Sequence, residues 1–111
     1  MKKILVIFFA MMMTTPSLIH AESFGPKYDK IITFFQGATE PSALDATWDS
    51  RTSFKIGVID DGSDWKEYAE YACEILYNEG LKEKAIEVKV IDIQQLAYKK
   101  RWVTLGQTTC Q

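Results

Sequence analysis

Two short runs rich in β-branched residues flank one amphipathic stretch, and that pattern restricts the fold more than anything else in the chain. The first run, TSFKIGVID (52–60), alternates at its start and turns continuously apolar, as a strand buried in a sheet does. The stretch 63–79 follows with helical spacing. Trp65, Tyr68, Ala69, Ala72, Ile75 and Leu76 form one stripe, and Glu67, Glu70, Glu74 and Asn78 fall opposite. Gly80 stands where a left-handed C-cap belongs. The second run, AIEVKVIDI (85–93), is a strand of similar strength. Strand, helix and strand with short joints make a βαβ unit with parallel neighbours 52–60 and 85–93 around helix 63–79. The expected class is α/β (or α+β), in a single small domain.

The flanks add less. Gly25-Pro26 suits the first turn of a helix, and Tyr28, Ile31, Ile32 and Phe35 continue it as one face of a helix over 27–36. GATEPS (37–42) reads as a loop, and ALDATWDS (43–50) as a short turn that buries Trp48. Asp92 with Gln95 resembles a capping pair for a short helix reaching Tyr98. Lys99-Lys100-Arg101 reads as a solvated turn before a C-terminal strand and tail. Cys73 and Cys110 are the only cysteines, too far apart for a redox C-x-x-C pair, and are expected to form one structural disulfide.

The first 21 residues have the layout of a secretory signal peptide: Lys2 and Lys3, an apolar core over Ile4–Met13, and a polar stretch ending at Ala21. The core is shorter than the roughly twenty residues that span a bilayer. The expected organisation is therefore a signal peptide over 1–21 and a domain over 22–111, with no membrane anchor after cleavage. Cleavage would remove Lys2 and Lys3 from 13 basic residues, leaving 11 against 15 acidic ones, a net charge of −4. That balance argues against nucleic acid and against anionic membrane surfaces as partners. It would also remove His20, the only histidine, and with it any Ser-His-Asp or Cys-His site and the histidines of most catalytic zinc sites. The chain carries no Gly-rich phosphate loop. An enzyme here would have to work with carboxylates, and a non-catalytic role is preferred.

Two groups of residues bear on function. Asp60 and Asp61 end the first strand, Asp64 opens the helix and Asp92 closes the second strand, so a parallel pair would bring all four to one sheet edge. Converging carboxylates are what Mg²⁺ or Ca²⁺ requires. Turn and cap chemistry explains each of them without a ligand. Asp61-Gly62 is a turn dipeptide, Ser63 a favoured N-cap, Asp64 a first-turn acid and Asp92 a cap, and this reading is preferred. Tyr71, on the flank of the helix stripe, and Trp102, after the basic turn, are the candidate exposed anchors for a partner. The expectation is an exported soluble protein, periplasmic or secreted, with no cofactor. Its expected role is binding or accessory, in recognition, inhibition or assembly with another protein of the bacterial envelope. A cation-binding module or small carboxylate enzyme is one alternative, and a structural or stress-protective protein without a discrete site is the other.

Overall fold

The computed structural model describes residues 23–37, 42–81 and 85–111. The signal segment over 1–21, and most of the loop expected over 37–42, lie outside them. The described chain is a small α+β domain: helix α1 (Pro26–Gln36), strands β1 (Ala43–Ser50) and β2 (Ser53–Val58), helix α2 (Trp65–Asn78), strand β3 (Glu87–Asp92), helix α3 (Ile93–Lys99) and strand β4 (Thr104–Thr109). The sheet runs β1-β2-β3-β4. β2 and β3 are parallel, as the βαβ pattern predicts, with Phe54 opposite Val88 and Ile56 opposite Val90. The outer strands β1 and β4 run antiparallel to their neighbours. No helix among the described residues is long and apolar enough to cross a membrane.

The segment 43–50 is a strand, not the expected turn. It forms a two-residue hairpin with β2 through Arg51-Thr52. Register shifts between Ala43 and Asp45 and between Trp48 and Ser50 break its alternation, so Ala43, Ala46 and Trp48 are its buried residues. Trp48 is buried as expected, by strand pairing rather than by a turn.

Alternation along β2 and β3 divides the sheet into two unlike faces. Phe54, Ile56 and Val58 of β2 and Val88 and Val90 of β3 point to one face and are wholly buried. Helices α1 and α2 cover this inner face. A run of aromatic rings carries the contact from α1 to the sheet: Tyr28 lies 4.7 Å from Trp48, Trp48 4.5 Å from Phe54, and Phe35 5.6 Å from Phe54. The Trp48 indole also donates to the carbonyl of Tyr28 at 3.1 Å. Helix α2 approaches β4 so closely that a Cβ on Gly106 would lie 2.4 Å from the Trp65 carbonyl carbon. Glycine is therefore required there by contact.

Helix α2 ends as its sequence predicts. Gly80 adopts φ +88°, Leu81 N–H reaches the Leu76 carbonyl at 3.0 Å, and Gly80 N–H reaches Tyr77 at 2.9 Å. Cys73 and Cys110 are bonded, which ties α2 to the end of β4 across 37 residues of sequence. The Tyr77 hydroxyl adds a second tie by donating to the Gln111 carbonyl.

Candidate functional site

The four aspartates come first because topology brings their strand ends to one edge. Asp60 Oδ1 accepts from the Gly62 amide at 3.0 Å and from the Trp65 indole N–H at 2.9 Å. The Trp65 bond, and then the Gly62 amide, hold the Asp60 carboxyl below the ordinary aspartate range. Asp61 accepts the Ser63 hydroxyl and, at 3.1 Å, its amide, and these two bonds lower its carboxyl in the same order. With its hydroxyl and amide both turned back to Asp61, Ser63 does not cap α2, contrary to the sequence reading. Asp64 takes that position and accepts from the Glu67 amide at 3.0 Å. Asp92 caps α3, accepting from Gln94 at 3.0 Å and Gln95 at 3.2 Å.

Each carboxylate is thus spent on its own turn. Among the described residues no group of three or more His, Cys, Asp or Glu side chains is placed to hold a metal ion. The cluster fixes chain geometry: Asp60 in particular pins Trp65, only 6% exposed, against the inner face.

The two aromatic candidates do not form one surface. Tyr71 is on α2, over the inner face, and lines a shallow hollow of mixed character with Ser63, Asp64, Trp65, Glu67 and Tyr68. Its ring lies 5.8 Å from that of Tyr68. Trp102 is on the other side of the sheet. There α3 covers only one end, and none of its residues is fully buried. Gly57 allows this close seat, since a Cβ on it would lie 3.0 Å from Ile93 Cδ1. Beyond α3 the outer face stays open as a cleft of about 150 Å³, lined by Asp45, Thr47, Lys55, Gly57, Ile91, Ile93, Leu96 and Trp102.

Trp102 is 61% exposed yet not loose. The Lys55 ammonium lies 4.9 Å from its ring centroid, a cation–π contact, while pairing with Asp49. Ile91 belongs to this side: it is buried under α3, apart from the main core. The cleft is therefore an aliphatic floor with an indole wall, flanked by one ion pair. Of its residues, sequence reading singled out Trp102 alone. The signal for the rest was the alternation itself, because Lys55 and Gly57 fall out of phase with Phe54, Ile56 and Val58. No family model matches this chain, and neither a curated protein nor a solved structure matches it.

Proposed function

We propose that the chain is an exported, non-catalytic binding module that recognises another protein of the cell envelope through the cleft beside Trp102. One observation carries the reading: a largely exposed indole is held in place by Lys55 at the mouth of a cleft floored by Ile91, Ile93 and Leu96. An ordered, solvent-facing tryptophan beside an apolar recess has the anatomy of a binding anchor, because covering it releases water from a large rigid surface at little cost in side-chain freedom. The disulfide is consistent with an extracellular or periplasmic location. The signal-like start supports export, to the periplasm or beyond it.

A photo-cross-linking amino acid at position 102 in the exporting cell tests this. Expected is a discrete adduct with one envelope protein, absent when the same residue replaces Glu74 on the exposed face of α2. Trp102→Ala should weaken that association by roughly tenfold or more, as loss of a hot-spot aromatic does, and leave the melting temperature nearly unchanged. Adducts at both positions alike, or at neither, would refute the reading.

A further inference from the structure

We infer that the occupant of the Trp102 cleft is a partner segment presenting one apolar side chain flanked by acidic residues. This rests on the binding reading above and specifies its chemistry. Size comes first. A cleft of about 150 Å³ falls below the roughly 300–1,000 Å³ of small-molecule sites and suits a single leucine- or phenylalanine-sized group.

Charge comes second. Lys99, Lys100 and Arg101 immediately precede Trp102, and all three are exposed. Among the described residues none of them has an ion-pair partner. Of the two acids beside the cleft, one is neutralised by a cation and the other is held by neutral donors. Asp49 pairs with Lys55, and Asp45 accepts from the Gln36 amide nitrogen and the Ala46 backbone, each at 2.8 Å. Against the charge of Asp45, the three cations on the stretch of chain that joins the lining residues Leu96 and Trp102 leave a positive balance, on a chain that is acidic overall. The basic turn is also held in shape. Lys100 takes a left-handed conformation at φ 55°, and the Lys100 and Arg101 amides reach the carbonyls of Leu96 at 3.1 Å and Gln95 at 3.2 Å. Three exposed cations on a backbone held in shape, without an ion pair among the described residues and next in the chain to an apolar recess, select an acidic, apolar-centred segment by complementarity.

The test is selection from a random heptapeptide display library on the oxidised protein purified from the exporting cell, with binding of the enriched peptides measured by fluorescence polarisation. The enriched peptides should carry one large apolar residue among Asp and Glu. Raising salt from about 20 to 200 mM should weaken them several-fold, because exposed charges are screened over that range. Replacing Lys99, Lys100 and Arg101 together with Glu should cost about tenfold or more and leave the melting temperature in place. Enrichment of apolar peptides without acids, binding Trp102→Ala poorly, would overturn the acidic inference while the binding reading stands. Enrichment no stronger than on Trp102→Ala would remove both. Failure of every peptide alongside co-sedimentation with phosphatidylglycerol vesicles would overturn the inference in favour of an anionic lipid surface.

Discussion

The two faces of this sheet are built from the same strands and do opposite work. On the inner face every alternate residue of β2 is wholly buried under α1 and α2, and a disulfide fastens the covering layer. On the outer face the intervening positions are Lys55 and Gly57, and the seven-residue α3 covers one end of the sheet. Two helices cover the inner face and only the short α3 reaches the outer one, so one face takes most of the apolar burial. The face released from that duty is where an exposed tryptophan, and three cations with no ion pair among the described residues, can stand without threatening the fold.

The sharpest way to break this comparison is to truncate adjacent residues that point to opposite faces. Phe54→Ala removes a buried ring touching Phe35 and Trp48 and should destabilise by about 3–5 kcal/mol. Its neighbour Lys55→Ala removes a partly exposed ion pair and should cost under about 1 kcal/mol. Denaturant melts of both variants check this. Equal losses would mean that the outer face is also part of the core.

Next in size is the disulfide. Replacing Cys73 and Cys110 with Ala frees a loop of 37 residues, a loss of about 3–4 kcal/mol on the chain-entropy account. For a domain with about 5–15 kcal/mol in hand, the melting temperature should fall by well over ten degrees. The Trp102 cleft lies across the sheet from the bridge, so in melts followed by Trp102 and by Trp65 the two probes should fall together. An earlier loss at Trp102 would show that the outer face depends on the bridge more than the inner one.

How much of this was readable beforehand follows the same division. β2, α2 and β3 were legible because their inner-face residues recur with clean periods of 2 and 3.6, and parallel pairing followed from their order. β1 was not. Its two register shifts scramble the alternation, and its hairpin turn, Arg51-Thr52, lacks the Asn-Gly signal and has no positive φ to demand it. The Asp92 cap was legible because a cap is local. The Ser63 cap was misassigned because two adjacent residues could both serve, and the choice turned on Asp61 taking Ser63 first. Trp102 was visible as a candidate, whereas its cleft exists only once Lys55, Ile91 and Leu96 are brought together from three elements.

A gentler probe is the same substitution on each face. Gly106→Ala would press a methyl group into the backbone at Trp65 and Lys66, at 2.4–2.6 Å, where nothing can yield without moving α2. The expected cost is about 1–3 kcal/mol or more. Gly57→Ala would press only on the tip of Ile93 at 3.0 Å, with that residue's Cβ and Cγ1 in ordinary contact at 3.5 Å, and should cost under about 1 kcal/mol while displacing α3. Amide chemical shifts should then change through 93–102 for Gly57→Ala and through the first turn of α2 for Gly106→Ala. A Gly57→Ala loss as large as that of Gly106→Ala would show that α3 is as rigidly seated as α2.

The smallest effect expected is in acid. The folded protein holds the Asp60 carboxyl below its unfolded value, chiefly through the Trp65 indole and then the Gly62 amide. A group lowered on folding stabilises fully above its unfolded value, near pH 4 for aspartate, and that contribution is lost as pH falls through the folded value. Stability should therefore decline as acid is added below about pH 4, and Asp60→Asn should flatten part of that slope and be less stable at neutral pH by the same small amount. The indole N–H resonances locate the effect. The Trp65 signal should shift as Asp60 takes up its proton, because the shared hydrogen bond weakens and the ring loosens from the inner face. The Trp102 indole has no hydrogen bond to an aspartate among the described residues and should stay put over the same range. If both signals moved together and Asp60→Asn stopped both, the two faces would be coupled through the β2–α2 turn, and ligand seated at Trp102 would in turn be felt at Asp60.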